Sequence, residues 1–317
     1  MSDRCLVCFE AVDKGEGEYH ARCSLGLFGS RKPPKIDIGR DEIQDLAEKD
    51  IRSRVAIPGV QPKLSLTFLE GKKKSRLTIV GHLNGLFVLK PPHAEYSQLP
   101  ENEALTMSFA ELARISVARH GLIRLKSGEL AYIARRFDRV LQKKSVLKLP
   151  QEDLCQVLGL LTEDKYSGSI EKIGRAIRNH CTNVGYDLTV LFDVVLFSFL
   201  MGNSDMHLKN FSLLTNERGE IGISPAYDLV STAVIGFDNE ESALSINGKK
   251  NRLERKDFVA LAQNFGLSEK VITASFGRLA KAYPQFETHP GLELFSHELK
   301  KKLNKLMRDR AQRLEIV

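Results

Sequence analysis

Residues 188–201, LTVLFDVVLFSFLM, form the most apolar stretch of this chain, and a polar cluster follows at once: GNSDMHLKNFSLL, residues 202–214. About fourteen apolar positions with Asp193 among them are too short and too polar to cross a bilayer, so a buried core helix is expected. Burying such a helix requires a sizeable domain, and 317 residues suffice for one large domain or for two lobes around a cleft. The cluster behind it crowds Asp205, His207, Lys209 and Asn210 into six positions. Helix termination by Asn203 and Ser204 explains part of this composition. A rigid buried helix that presents an acid, an imidazole, an ammonium and an amide also suits a reactive site.

The flanking sequence supplies the rest of a fold. Residues 29–42 are rich in Pro, Gly and charge and read as a linker, and 40–54 has helical spacing. Three β-rich runs, 64–69, 77–80 and 86–90, are separated by turn residues and predict an antiparallel sheet. Residues 99–117 predict a helix with Pro100 in its first turn, and 130–140 predict a further strand. From Gln151 onward helical periodicity dominates, apart from the polar stretch around 202–250. The expected class is α+β, with a Cys/His knuckle at 1–30, a small β-rich lobe at 31–148 and a larger helical lobe at 149–317.

Three oxygen-bearing side chains stand out. Asp205 and Asn210 have D-x4-N spacing, and Asp228 follows in SPAYDLVS. Phosphoryl transfer needs a carboxylate to accept a hydroxyl proton, oxygen ligands for magnesium and a cation for the phosphates. Asp205 suits the first task, Asn210 and Asp228 the second, and Lys90, which ends GLFVLK, the third. Glu103, in the helix that follows, is placed to hold that lysine. The loop AIPGVQPK (56–63) precedes the lysine strand, where a phosphate-covering loop belongs. The spacing alone is weak, but the order of Gly loop, strand Lys, helix Glu, Asp/Asn loop and later Asp is harder to obtain by chance.

Lys and Arg number 47 against 40 Asp and Glu, a net charge of +7 dispersed over 71–76, 248–256 and 298–313. Such runs usually decorate solvated surface. No aromatics are interleaved with them, which argues against stacking of single-stranded nucleic acid. The N-terminus has no cationic segment followed by an apolar one, so a cytoplasmic location without a membrane partner is expected. Cys155 and Cys181 read as buried thiols. Cys5 and Cys8 form C-x2-C, and YHARC adds His20 and Cys23. Three thiols and an imidazole make a tetrahedral zinc set, and a reduced hairpin without metal is the alternative.

Several blocks resemble the HipA family of bacterial serine/threonine kinases, the toxins of toxin–antitoxin operons. They are GVQPK (59–63), VLKPP (88–92), NEALTM (102–107), RRFDR (135–139), LPQEDLCQVLGL (149–160) with Lys165 and Tyr166, GNSDMHLKNFS (202–212) and PAYDLVS (225–231). The resemblance implies a bilobal protein-kinase-like fold. It implies that Asp205 is the catalytic base, that Asn210 and Asp228 bind magnesium, and that Lys90 binds ATP phosphates beside Glu103. Gly59, Gln61 and Lys63 would cover the nucleotide, His207 and Lys209 would contact phosphate or hold the base, and Phe137 would sit near the adenine. Where the family has an autophosphorylated serine in its loop, this chain reads Ala56-Ile57-Pro58-Gly59, so Ser53, Ser65 or no residue would serve.

The resemblance further implies the function: transfer of the ATP γ-phosphate to a serine of an aminoacyl-tRNA synthetase, which halts translation and growth. The short start resembles the HipT-type toxins, for which a separately encoded small protein acts as antitoxin beside a DNA-binding one. That form favours the tryptophanyl over the glutamyl enzyme, and the chain itself contains no tryptophan. The alternative is a weakly active kinase serving as an operator-DNA co-repressor, in contact with DNA only through its antitoxin.

Overall fold

The computed structural model describes residues 4–13, 17–39, 42, 63–69, 76–80, 85–142, 146–236 and 240–317. The chain divides into two compact units: Met1–Leu105, Ala118–Val146 and Pro290–Phe295 form the first, and Thr106–Val117, Leu147–His289 and Ser296–Val317 the second. Both strands and helices are well represented, and the fold is α+β.

The first unit is built on a six-stranded sheet. Its strands are β1 (Lys35–Ile36), β2 (Leu64–Phe68), β3 (Arg76–Ile79), β4 (Phe87–Lys90), β5 (His120–Arg124) and β6 (Leu130–Arg135), in the order β1-β3-β2-β4-β6-β5. All neighbours are antiparallel except β1 and β3. The three β-rich runs therefore pair in an antiparallel sheet as expected, with Leu64, Leu66 and Leu89 fully buried. The expected linker is partly strand: Lys35 and Ile36 pair beside Arg76 and Leu77. The strand expected over 130–140 stops at Arg135, because Arg136 and Arg139 both close on Asp138 in a turn; β7 (Arg139–Leu141) resumes beyond it and β8 (Val146–Lys148) follows. Helix α1 (Ala21–Phe28) packs its Phe28 ring 5.8 Å from Phe87 of β4.

Helix α2 (Leu99–Leu112) starts with Pro100 and Glu101 in its first turn, as expected, but ends before 117. Arg114 takes a left-handed φ of 61°, and the amides of Arg114 and Ile115 fold back onto Glu111 and Ala110. That closure stops the helix ahead of β-branched Ile115 and Val117.

In the second unit, helix α3 (Leu154–Val157), α4 (Ile170–His180), α5 (Val184–Met201), α6 (Arg255–Asn264), α7 (Glu269–Glu287) and α8 (His297–Arg313) surround a core centred on α5. By length and composition α5 is apolar enough to cross a membrane, yet 67% of it is buried in the protein. Its apolar residues pack onto Phe276, Phe286 and Phe258, and each large side chain so buried contributes about 1.5–3 kcal/mol. A three-stranded antiparallel sheet, β9 (Gln151–Asp153), β10 (Ser212–Thr215) and β11 (Ile221–Ile223) with β10 central, takes two strands from the polar stretch around 202–250 and its third, β9, from a segment expected to be helical. β9 is polar and gains its structure from a partner some sixty residues away, which local pattern cannot show.

Candidate active site

The polar cluster begins where α5 ends. Gly202 caps the helix at a φ of 72°, a conformation that costs glycine little. A Cβ there would also meet Leu306 Cδ2 at 2.5 Å and the Ala233 Cβ at 3.0 Å. The next residues are pinned to the 231–233 segment. Ser231 Oγ donates to the Met201 carbonyl at 2.5 Å, Thr232 Oγ1 to the Gly202 carbonyl at 3.0 Å, and the Ser204 amide to Thr232 Oγ1 at 2.8 Å.

On this base Asp205 stands half-buried, its amide donating to Asn203 Oδ1 at 3.3 Å. The Tyr166 hydroxyl donates to Asp205 Oδ1 at 2.5 Å. Burial first, and then the bond to Asp205 and its charge, raise the Tyr166 phenol above its ordinary range, so it stays a donor. The His207 ring lies edge-on to Tyr166, with centroids 5.1 Å apart. Burial holds His207 below the usual imidazole value, against the opposing pull of Asp205 and Asp228, so the ring near the acid is neutral.

Lys209 is committed to an ion pair, its Nζ 2.6 Å from Asp153 Oδ2. Asp153 also caps α3, accepting from the Gln156 amide at 3.0 Å. Asn210 is buried in a single helical turn after His207. The segment that carries Asp228 is tied to it: the Tyr227 hydroxyl donates to the Lys209 carbonyl at 2.8 Å and lies 2.6 Å from Ser212 Oγ. Asp228 itself sits at a φ of 60°, an uncommon region for a non-glycine residue. The second unit thus brings Asp205, His207, Lys209, Asn210 and Asp228 onto two mutually bonded segments. An amide and a carboxylate are the hard oxygen donors that magnesium prefers, so this donor set fits that ion.

Within the first unit, Lys90 Nζ and Glu103 Oε1 are 2.6 Å apart, with side chains only 6% and 1% exposed. Tyr132 presents its ring 5.4 Å from the same ammonium. Lys63 is half-buried just before β2. Phe137 lies in the turn between β6 and β7, half-buried. Gly59, Gln61, Ser53, Ala56, Pro58 and, apart from residue 42, the helix expected at 40–54 lie outside the described residues. Ser65 is buried on β2, where a Cβ on Gly85 would strike its Oγ at 1.8 Å; a hydroxyl so enclosed is a poor phosphate acceptor in the folded chain.

Residue reasoning assigned no role to Tyr166, Asp153 or Thr232. The family block containing Lys165 and Tyr166 was the only signal for the first of these.

Residues 55–286 match the model of the HipA-like C-terminal domain. Y4dM of Sinorhizobium fredii, named as a candidate kinase, is 34% identical over 272 residues, 78% of this chain and 65% of that protein. The serine/threonine-protein kinase toxin HipA of Shewanella oneidensis is 27% identical over 255 residues, 74% of this chain and 57% of that protein. The chain spans 48–65% of the length of the first two curated relatives it matches. Among solved structures, Shewanella oneidensis HipA in complex with HipB and operator DNA matches with a TM-score of 0.68 at 20% identity, covering 96% of this chain and 80% of that one. The Helicobacter pylori proinflammatory kinase CtkA matches with a TM-score of 0.54 at 15% identity, covering 79% and 93%. The fold is that of these kinases, and the chain belongs to the HipA-like C-terminal domain family.

Proposed function

We propose that this chain is a serine/threonine protein kinase that uses ATP and magnesium. The observation that carries the reading is Asp205, held by the Tyr166 hydroxyl at 2.5 Å on a loop bonded to the segment bearing Asp228. Asp205 accepts the proton of a substrate serine hydroxyl as that oxygen bonds to the γ-phosphorus and the bond from phosphorus to the ADP oxygen breaks. Tyr166 occupies Oδ1, so Oδ2 is the oxygen we assign to the substrate. Asn210 and Asp228 hold magnesium, which when bound neutralises phosphate charge. Lys90, oriented by Glu103, binds the phosphates, and Gly59, Gln61 and Lys63 cover them. Phe137 lines the adenine side. His207, neutral and packed on Tyr166, positions the base, and Lys209 fixes the loop through Asp153.

The substrate we propose is a serine of an aminoacyl-tRNA synthetase, the tryptophanyl enzyme before the glutamyl. This rests on the resemblance to the growth-arresting toxins, and the absence of tryptophan from the chain accords with it. Antitoxin partners, including a small separately encoded one and a DNA-binding one, and a cytoplasmic location follow from the same reading. The Shewanella oneidensis neighbour, found with HipB and operator DNA, supports a second role in which the chain meets DNA only through an antitoxin.

The test is transfer of labelled phosphate from ATP, with magnesium, to purified tryptophanyl- and glutamyl-tRNA synthetases, run beside Asp205→Asn. Label on a synthetase from the unmutated chain alone is expected. Equal label from both proteins removes Asp205 from the mechanism. No label on either synthetase, with label on other proteins of a cytosolic extract, keeps the kinase and rejects the substrate.

A further inference from the structure

Cys5, Cys8, His20 and Cys23 bring one ligand atom each to within 4.8 Å of every other. Among the described residues no other such group of His, Cys, Asp or Glu occurs. The remaining cysteines, Cys155 and Cys181, belong to the second unit and take no part. Cys8 Sγ is 3.3 Å and Cys23 Sγ 3.9 Å from His20 Nδ1. A tetrahedral zinc with Zn–S of about 2.3 Å and Zn–N of about 2.1 Å sets neighbouring ligand atoms about 3.6 Å apart, and these separations bracket that value.

The surroundings are arranged for a metal rather than for a thiol pair. The other ring nitrogen of His20, Nε2, lies 2.8 Å from the Ala11 carbonyl, which can only accept. The hydrogen is therefore on Nε2, and Nδ1 turns its lone pair toward the sulfurs, as in metal-bound histidines oriented by a carbonyl. The His20 amide points at Cys5 Sγ from 3.4 Å, the contact a sulfur bearing negative charge attracts. The C-x2-C segment is a closed turn, with the Phe9 amide donating to the Cys5 carbonyl at 2.8 Å. The fourth ligand, Cys23, comes from the first turn of α1.

We propose that Cys5, Cys8, His20 and Cys23 form a closed structural zinc site that staples the N-terminal knuckle to the edge of the β5–β6–β4 sheet. Four protein ligands leave no open position, so the metal's role is structural and does not depend on the kinase reading. Binding releases the thiol protons to solvent and changes no oxidation state. The knuckle it closes covers the outer strand. The Leu122 amide of β5 donates to the Leu6 carbonyl at 2.7 Å, between Cys5 and Cys8 in sequence, and Tyr19 Oη donates to the Leu122 carbonyl at 2.7 Å, next to His20. Gly121 admits this approach, since a Cβ there would lie 2.9 Å from the Leu6 oxygen. Tyr19 and Phe28 pack edge to face, and Phe28 reaches Phe87 on the strand that ends in Lys90. The staple thus bears on the sheet that carries the lysine.

The test is metal analysis of the full-length chain purified without added chelator. About one zinc per chain is expected, retained in Cys181→Ser and lost, wholly or more than tenfold in affinity, in Cys8→Ser and Cys23→Ser. Because those variants can also lose their fold, the unmutated chain is stripped and reloaded with cobalt. Intense tetrahedral ligand-field bands with thiolate charge transfer are expected, and His20→Cys retains the metal with a shifted spectrum. Hydrogen exchange completes the set: stripping speeds exchange of the Leu122 amide and leaves the second-unit core unchanged. A purified chain that neither contains zinc nor takes up zinc or cobalt overturns the proposal. So does zinc that persists in Cys8→Ser and Cys23→Ser, a cobalt spectrum without thiolate bands, or a Cys5–Cys8 disulfide in the native protein.

Discussion

Two carboxylates in this molecule are gripped at nearly the same distance by different means. Glu103 meets the Lys90 ammonium at 2.6 Å in a site from which both side chains are almost wholly excluded from solvent. Asp205 meets the neutral Tyr166 hydroxyl at 2.5 Å on a half-buried loop. A buried ion pair stabilises each charge through the other and fixes a positive charge in place. A phenol that stays protonated lends a hydrogen bond without cancelling the carboxylate's charge, which leaves that group able to take a proton. The first arrangement suits a fixed positive charge beside phosphates, and the second suits a base.

The contrast is broken most directly by substitutions that separate activity from stability. Asp205→Asn keeps the shape and removes the basic oxygen. Phosphate transfer is expected to fall by about 10²–10⁴-fold, with the urea midpoint nearly unchanged. A variant that melts early but transfers phosphate at the normal rate would place Asp205 in the scaffold instead. Lys90→Met should do the reverse first. It removes the cation facing the buried Glu103 carboxylate at a cost of about 3–5 kcal/mol, seen as a lower urea midpoint, and activity is lost with it. Lys90→Met combined with Glu103→Leu should recover much of the stability and none of the activity, since the two effects are not additive within one pair. A loss below about 1 kcal/mol in the single variant would mean that the pair behaves as a surface contact.

How these two sites were legible in the sequence differs in the same way. The lysine pair was open to reading because its parts are local: β4 ends in Lys90, and Glu103 lies one helical turn into the next helix. The runs that became β2, β3 and β4 were legible for the same reason, as β-rich stretches between local turn residues. The Asp205 loop was legible only as a cluster of residue types. The groups that hold it come from distant positions: Tyr166 lies 39 residues upstream and Thr232 28 residues downstream of the groups they bind. β9 is the extreme case, since Gln-Glu-Asp has no strand signature and is ordered by pairing with β10. Helix α2 was read too long because its stop is a backbone event at Arg114, where no glycine or proline advertises it.

Gly202→Ala sharpens the comparison from the side of the loop. Alanine must take up the left-handed conformation and press against Leu306 and Ala233. A stability loss of about 1–3 kcal/mol is expected. Because the Gly202 carbonyl also receives Thr232 Oγ1, the phosphate-transfer rate should drop further than the change in folded population explains. An unchanged rate per folded molecule would show that the loop is set by its hydrogen bonds alone.

Tyr166→Phe is the mildest change and the most informative about the base. It removes one hydroxyl from a half-exposed contact and leaves the ring edge to face with His207. A hydrogen bond to a charged group is worth about 1.5–3 kcal/mol when buried and less where water competes. Near the lower bound, a fall of roughly tenfold in kcat is expected. KM for ATP should stay constant, because Tyr166 touches the acid and none of the groups assigned to the nucleotide. If kcat instead rises, the phenol is a competitor that the substrate hydroxyl must displace, and the neutral grip on Asp205 is a restraint on the kinase rather than a support. If KM for ATP rises while kcat holds, the tyrosine belongs to nucleotide binding, and the distinction between a charge held still and a charge kept available no longer separates the two sites.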